Sequence, residues 1–526
     1  MPSNRRFDDM TSWTEAGCLG ISCHFPISST TSMTQERQFP DGFKWGASTA
    51  AYQIEGGWNE GGRGMSIWDA FSKIPGKTAN GETGDVAIDH FHLYKDDIKL
   101  MAALGLKNYR LSFSWTRILP TGKTDVVNEE GIAFYNSLID ELVAHGIEPM
   151  VTLFHFDFPL ALQLEHDGWL RQDNFVVDAF ADYARLCFTR FGDRVKYWLT
   201  INEPHISTVL GYSIGVGAPG RKSPTEPYHV GHKLLIAHAT AVDIYRKDFK
   251  PTQNGQIGIA LDGDFRVPKP SDDPEQFKLN QDAAERGRLF WIGWFADPIY
   301  FGDYPDVMKQ RVGDRLPKFT EEESALVKGS NDFFALNHYS TAYAEPSEDY
   351  LENSGAAVRP SVWADAGVKL SDDPSWHKTD LNWSAVPWGF RRVLTWIQDR
   401  YAPQGGIYVT ENGAAIADFD RAAAENDTLR VQFYESYIVE MHKAITEDKA
   451  DVRGYFAWSL FDNYEWGAGY SKRFGIVWVD YATQERVPKA SAKFLGQVWK
   501  GNAITEQDDN AIAVAAAASS VGVAAP

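Results

Sequence analysis

The chain of 526 residues contains only three cysteines, Cys18, Cys23 and Cys187. So low and odd a count excludes a disulfide framework and fits a reducing compartment. No second Cys or His pair lies near Cys18 and Cys23, which argues against a zinc site. No stretch reaches the ~18 consecutive apolar residues of a membrane span. A secretory leader is not legible either: Arg5 and Arg6 are followed by Asp8 and Asp9, and Ser22 and His24 break the apolar character of Cys18–Ile27. Without a leader, the glycosylation sequons at Asn382 and Asn426 are read as chance. Positive charge is also scarce. Lys and Arg total 51 against 71 Asp and Glu, a net charge of −20, which repels phosphate backbones and anionic lipid surfaces. The chain therefore reads as cytoplasmic, with no nucleic-acid and no membrane partner, and its oligomeric state is left open. HExxH, Walker and EF-hand patterns are missing, so no metal and no cofactor is expected. Aromatic side chains are abundant instead, with 18 Trp, 22 Tyr and 31 Phe. Such rings build cores, and they also stack on the flat apolar faces of sugars.

Three regions are distinguished. Residues 1–35 read as an irregular N-terminal extension, with Met33 as a candidate natural start. Residues 36–501 read as one domain. Residues 502–526 read as an Ala-rich, disordered tail, because AIAVAAAASSVGVAAP is too rich in small residues to pack. Ser519, Ser520 and Gly522 interrupt it as a lipid-anchor signal. Within the domain, nearly continuous apolar runs recur at Phe43–Ala47, Asn108–Phe113, Glu148–Phe154, Tyr197–Asn202, Ile257–Leu261, Asp332–Asn337, Ile407–Glu411 and Gly454–Ser459. Such runs suit strands buried on both faces. Helical patterns separate them, among them Gly131–Gly146 with Ile132, Phe134, Leu138, Leu142 and Val143 as its apolar face. Others are Asn174–Phe191, Tyr228–Phe249, Trp388–Arg400 and Arg430–Ile445. Eight repeats of strand and helix predict an α/β fold, a single (β/α)8 TIM barrel with extended loops at the C-terminal face. Two doubly wound domains are the alternative, but no linker divides the chain.

Three motif matches are set aside. Gly215–Gly220 fits the dinucleotide fingerprint, yet Pro219 and Pro224 make it a loop where the pyrophosphate needs a helix N-terminus. Gly211–Gly215 fits a nucleophile elbow, yet a helical stretch precedes it. His90 and His92 open a helix, where packing and hydrogen bonding explain them better than metal binding.

A barrel places its chemistry where strands end. Several candidate strands do end in polar residues: His155-Phe156-Asp157, Asn202-Glu203-Pro204, Thr410-Glu411-Asn412, and Trp458-Ser459 with Glu465-Trp466 close behind. Glu203 and Glu411, from distant strands, can meet across the barrel mouth. Such a pair suits glycoside hydrolysis, in which one carboxyl gives a proton to the leaving oxygen and the other, ionised, attacks or assists water. Asn202 can hold a sugar hydroxyl, and Arg110, at another strand end, can keep Glu411 ionised.

The segments that deliver these residues carry a resemblance. FPDGFKWGASTAAYQIEG (Phe39–Gly56), YRLSFSWTRILP (Tyr109–Pro120), TLFHFDFP (Thr152–Pro159), TINEP (Thr200–Pro204), LNHYS (Leu336–Ser340), YVTENG (Tyr408–Gly413) and GYFAWSLFDNYEWGAGYSKRFGI (Gly454–Ile476) stand in one order. Over roughly residues 36–500 the sequence resembles glycoside hydrolase family 1, the β-glucosidase family. The resemblance implies a retaining enzyme with Glu411 as nucleophile and Glu203 as acid and base. It further implies Arg110 and Tyr339 as partners of the nucleophile and Asn202 as ligand of the 2-hydroxyl. Gln53, His155, Glu465 and Trp466 match the ligands of the other hydroxyls. Trp458 matches the platform beneath the ring, Phe474 a further wall, and Trp383 an aglycone platform, while Trp169 is placed at the entrance. A cis peptide between Trp458 and Ser459 is also implied.

One position departs from the family pattern: its usual Trp is Phe156 here, which keeps an apolar ring and loses an N–H donor, worth about 0.5–1.5 kcal/mol. Phe158, where Leu is common, is a packing change only. A carboxylate at Glu465 disfavours 6-phosphorylated sugars, and Glu203 separates the chain from myrosinase-like members. The expectation is therefore a retaining exo-β-glucosidase whose partner is a small-molecule β-glucoside or cello-oligosaccharide. A broad β-glycosidase, a transglycosylase and a sugar-binding pseudoenzyme are the alternatives; both glutamates are present, which argues against the last.

Overall fold

The computed structural model describes residues 35–347 and 361–506. Cys18, Cys23, Met33, most of the expected N-terminal extension and nearly all of the expected tail lie outside the described residues. Regular structure runs past the boundary read at residue 501: Ala503–Glu506 pairs as a strand with Gln35–Gln38.

In chain order the main elements are β1 (Lys44–Ser48), α1 (His90–Leu104), β2 (Asn108–Ser112), α2 (Glu129–Ala144), β3 (Glu148–Phe154), α3 (Phe175–Phe191), β4 (Tyr197–Asn202) and α4 (Glu226–Ile244). They continue with β5 (Gln256–Asp262), α5 (Pro274–Arg288), β6 (Phe334–Asn337), α6 (Pro387–Tyr401), β7 (Ile407–Asn412), α7 (Thr428–Thr446), β8 (Val452–Trp458) and α8 (Ala490–Gly501). The eight strands pair in parallel in this sequence, and β8 pairs with β1 to close a barrel. The fold is a (β/α)8 TIM barrel, and each of the eight expected apolar runs contributes one strand.

Alternation along each strand divides the core in two. Tyr109 and Leu111 of β2 join the large cluster between strands and helices. Met150, Leu199, Ala260, Phe333, Ala335, Tyr408 and Phe456 form a separate cluster, as side chains filling a barrel interior do. Gly46 is required beside it, because a Cβ there would lie 2.5 Å from the Phe456 ring. Helix α2 buries Ile132, Tyr135, Leu138, Ile139 and Leu142, the spacing of one helical face. Val143 was expected on that face, but it is 48% exposed: Leu142 occupies the face and the next residue turns about 100° away. Gly146, at φ 70°, supplies the left-handed residue just past the helix end.

The rejected motifs find ordinary places. Residues 214–220 are irregular loop, and Val209–Ser213 is a helical turn. His90 is buried against Asp97 (2.7 Å), and His92 faces Asp89 and Glu60.

Candidate active site

Strand register assembles the site. Glu411 on β7 stands beside Asn337 on β6, and Asn337 stands beside Asp262 on β5. On the other side, Trp458 of β8 neighbours Ser48 of β1, and Ser48 neighbours Arg110 of β2. Tyr109 and Leu111 point outward, so Arg110 between them points to the barrel axis. Glu203 follows the last residue of β4 at φ 42° and caps the short helix Pro204–Thr208, whose first residue is a proline. Glu203, Asp262, Asn337, Glu411 and Trp458 open on a chamber of about 340 Å³, and Arg110 and Ser48 lie behind its wall.

Hydrogen bonds join the two glutamates through three intermediate side chains. The guanidinium of Arg110, fully buried, donates to Oε1 of Glu411 and, at 2.6 Å, to Oδ1 of Asn202. Asn337 Nδ2 donates to the same Asn202 oxygen (3.1 Å) and to Glu203 Oε1 (2.7 Å). Tyr339 OH donates to Glu411 Oε2 (2.6 Å), and Thr410 fixes Asn337 by donating to its Oδ1 (2.6 Å).

The two carboxyls, both buried, are wired unequally. Burial raises Glu203 well above the usual carboxylate range, and the charges of Glu411 and then Asp262 push it further; Asn337 and Arg110 oppose this. Burial also raises Glu411, but the charge and hydrogen bond of Arg110 and the hydroxyl of Tyr339 act against it. Of the two, Glu203 is the one pushed further toward its protonated form, and Glu411 the one whose charge is supported. Burial and then the Glu411 charge hold Tyr339 far above the ordinary phenol range, so it remains an O–H donor.

The closed end of the chamber is polar. Gln53 Nε2 donates to Asn463 Oδ1 (3.0 Å), the Tyr464 carbonyl (2.9 Å) and Glu465 Oε2 (3.4 Å). This leaves Gln53 Oε1 as an acceptor with no protein partner. Glu465, half-buried, is pushed up to about 8 by desolvation and then by the Glu411 charge. Because Asn202 accepts through Oδ1, its Nδ2 donates to His155 Nε2 (3.1 Å). Burial and the Arg110 charge keep that imidazole neutral, with its proton on Nδ1, which has no protein partner.

Aromatic rings form the remaining walls. Trp458 lies nearly parallel to His155 and packs with Phe474 and Tyr339. Its peptide bond to Ser459 is cis. Trp383, 37% exposed, stands 5.4 Å from Tyr339 at the open side. Phe156 meets Trp466 edge to face at 5.2 Å.

Twelve of the thirteen residues singled out from sequence thus gather in or directly behind one chamber. Trp169 does not. It is 3% exposed, packs on Phe154 and Phe158, and faces a second cavity, because the segment after β3 turns its ring inward. Sequence reading assigned no role to Asn337, Asp262, His205 or Trp291. Asp262 Oδ2 accepts from Trp291 Nε1 and lies 3.2 Å from His205 Nδ1, with the His205 ring stacked on Trp291 at 4.3 Å. The rule that strand ends carry chemistry reaches Asn337 and Asp262 once β5 is drawn one residue longer. His205 and Trp291 carry no comparable signal.

This geometry suits glycoside chemistry, and comparison with known proteins agrees. The family model described as glycosyl hydrolase family 1 matches residues 35–504. Beta-glucosidase 1B of Phanerodontia chrysosporium is 47% identical over 485 residues, covering 89% of this chain and 87% of its own. A crystal structure of a family 1 beta-glucosidase from the fungus Humicola insolens in complex with glucose is 44% identical, with a TM-score of 0.82 over 88% of this chain and 98% of that one. A rice beta-glucosidase variant in a covalent complex with Glc is 42% identical, with a TM-score of 0.82 over 87% and 98%. On its sequence, its barrel and its paired glutamates, the chain belongs to glycosyl hydrolase family 1 and is a glycoside hydrolase.

Proposed function

We propose that the protein is a retaining exo-β-glucosidase. Its substrates are terminal non-reducing β-D-glucosyl residues of cellobiose, short cello-oligosaccharides and aryl β-glucosides. The observation that carries this reading is the unequal wiring of Glu203 and Glu411. Glu411, ionised between Arg110 and Tyr339, attacks the anomeric carbon. Glu203 gives its proton to the glycosidic oxygen, which leaves as an alcohol, and a covalent glucosyl ester of Glu411 remains. Forming the ester removes the negative charge that held the proton on Glu203. Glu203 then becomes the stronger base, takes a proton from water, and the hydroxide displaces Glu411 from the same carbon. Two inversions give net retention.

Asn202 is placed for the 2-hydroxyl, where hydrogen bonds strengthen in the transition state. The partnerless acceptor of Gln53, the imidazole of His155 and Glu465 serve the other hydroxyls at the closed end, which supports exo action. Trp458 and Phe474 carry the apolar face of the ring, and Trp383 the aglycone side. Glucose bound in the Humicola insolens relative and Glc held covalently in the rice relative support the same substrate and intermediate.

The test is hydrolysis of p-nitrophenyl β-D-glucoside. Glu411→Gly should be inert and regain activity with azide, giving α-glucosyl azide. Glu203→Ala with azide should give the β-azide. The same anomer from both variants would remove the assigned roles. A wild type inert on every neutral aryl β-glycoside would make the protein a sugar-binding relative without activity.

A further inference from the structure

Asp262, His205 and Trp291 line the chamber outside the glutamate wiring and touch one another in a closed triangle. Asp262 ends β5; its Oδ2 accepts the indole N–H of Trp291 and stands 3.2 Å from His205 Nδ1. The His205 ring stacks on Trp291 at 4.3 Å, which completes the third side. The corners come from β5, from the short helix Pro204–Thr208 and from the helical turn Leu289–Gly293 that follows α5. A buried polar network of this kind fixes the orientation of its members. Only one oxygen of the carboxyl is used in it: Asp262 Oδ1 is buried with no protein partner. A buried polar atom left so calls for an explanation.

The triangle is fastened to Glu203. Ala260 packs in the barrel interior, so Asp262, two residues on, points toward the same axis. The Ala260 carbonyl takes the N–H of Glu203 (2.8 Å), and Asn337, beside Asp262 in the register, donates to Glu203 Oε1. His205 follows Glu203 across Pro204, so its contacts with Asp262 and Trp291 anchor the first turn that leaves Glu203 at φ 42°. Three more charged or titratable groups surround Asp262. The Arg266 guanidinium lies 4.5 Å over the Trp291 ring, Asp264 accepts the Ser340 N–H, and burial holds His338 down to about 4 and so neutral. Glu203 itself also faces Glu411, Arg110 and Tyr339. A carboxylate fixed against Glu203 repels its ionised form and spares its neutral form, which adds to burial and to the Glu411 charge.

We propose that Asp262 is a positioning residue for Glu203: clamped by His205 and Trp291, its carboxylate supports Glu203 as proton donor in the first step and as base toward water in the second. The inference rests on the β-glucosidase reading and deepens it. Glu411 loses its charge when the glucosyl ester forms, whereas the Asp262 charge persists through both steps. Asp262 is therefore the carboxylate that still sustains the basicity of Glu203 when water must be deprotonated. No bond is made or broken at Asp262 itself, and His205 and Trp291 act by holding its Oδ2 in place.

The experiment compares Asp262→Asn and Asp262→Glu with wild type. Asn keeps the shape and an oxygen for the Trp291 N–H but removes the charge, whereas Glu keeps the charge. With p-nitrophenyl β-D-glucoside, the alkaline limb of kcat/KM should lie about 0.5–1.5 pH units lower in Asp262→Asn, and Asp262→Glu should recover most of that shift. With 2,4-dinitrophenyl β-D-glucoside the leaving group departs without a proton, so the second step limits kcat. There Asp262→Asn should lose about three- to ten-fold at neutral pH. Azide attacks the ester with no proton to give up, so in its presence the variant and wild type should agree within about two-fold. An alkaline limb that stays in place in a folded, active Asp262→Asn overturns the inference. So does a deficit that azide leaves intact, because a merely structural loss would persist. If Asp262→Asn does not fold, Asp262→Ser removes the same charge, keeps a hydroxyl acceptor and must move the limb in the same direction. A wild type inert on both glucosides defeats the β-glucosidase reading itself, a different and distinguishable failure.

Discussion

Replacing Arg110 by Met tests the wiring of the site most directly. The guanidinium is fully buried and is the cationic partner of Glu411. Met keeps most of the volume and removes the charge and the donors to Glu411, Asn202 and the Thr410 carbonyl. Breaking a buried ion pair by removing one partner costs about 3–5 kcal/mol. At 1.36 kcal/mol per decade, the loss in kcat/KM is roughly 150- to 5,000-fold if it falls on the transition state. The pH profile gives the sign. Arg110 is the strongest influence holding the Glu411 proton off against burial. Without it the Glu411 carboxyl rises further, so the acid limb of kcat/KM moves to higher pH and the active window narrows from below. Lys should rescue little, because one ammonium cannot reproduce the fork that reaches Glu411 and Asn202 together. The assay is kcat/KM for p-nitrophenyl β-D-glucoside across pH, with thermal melting and near-ultraviolet circular dichroism as folding controls. A folded Arg110→Met variant within ten-fold of wild type, with its acid limb unmoved, would refute the reasoning.

Asn337→Ala removes the 2.7 Å donor to Glu203, a bond between neutral groups worth about 0.5–1.5 kcal/mol, so kcat/KM should fall about 2- to 13-fold. That donor favours the ionised form of Glu203, and its loss should move the alkaline limb to higher pH; a downward move would contradict the assignment. Glu465 makes its own prediction about stability. Its folded-state value of about 8 lies above the ~4.3 of an unfolded Glu. The stability it contributes is complete below pH ~4.3 and is lost as pH rises toward 8. Glu465→Gln should therefore match wild type in melting temperature near pH 4 and gain on it progressively to pH 8. A difference independent of pH would show that Glu465 is not displaced.

The barrel was legible because its signal is repetitive. Eight apolar runs separated by helical patterns fit few other folds, and each strand was placed to within about two residues. Glu203 and Glu411 were legible for a related reason: a carboxylate at the end of an apolar strand is conspicuous. Asn337 escaped attention although its segment was noticed, because its contribution is a bond to two partners on another strand, and no spacing along one chain encodes that. Trp169 was misplaced because a tryptophan near a rim reads the same from sequence whether it faces solvent, sugar or core. The second cavity was not legible at all, since empty space is a property of packing.

Three residues of the chamber adopt a backbone conformation that side chains of their size rarely take. Phe156, Glu203 and Trp466 all have positive φ, at 70°, 42° and 49°, and none is glycine. Each such residue costs on the order of 1–3 kcal/mol, so its surroundings must hold it. Glu203 is held from both sides: its N–H donates to the Ala260 carbonyl (2.8 Å), and its carbonyl accepts from Ser207 (3.1 Å). Trp466 sits in a turn closed by Glu465 N–H to Gly469 O (2.7 Å) and Gly469 N–H to Trp466 O (3.1 Å). The loops that follow β7 and β8 also share a buried ionic cluster. Lys489 donates to Asp418 (2.6 Å) and Asp462 (2.9 Å), Arg473 to Asp462 (2.7 Å), and Arg430 to Asp418 (2.8 Å) and Asp427. Buried ion pairs rarely stabilise a fold more than apolar packing would, so their position is the more informative fact. Asp418 belongs to the loop after β7, and Asp462 and Arg473 to the loop after β8. The cluster therefore joins the segment that follows Glu411 to the one that carries Glu465 and Trp466. Loosening it should shift the closed end of the chamber while leaving the glutamate pair in register, because Arg110 and Asn337 hold that pair from the strands themselves.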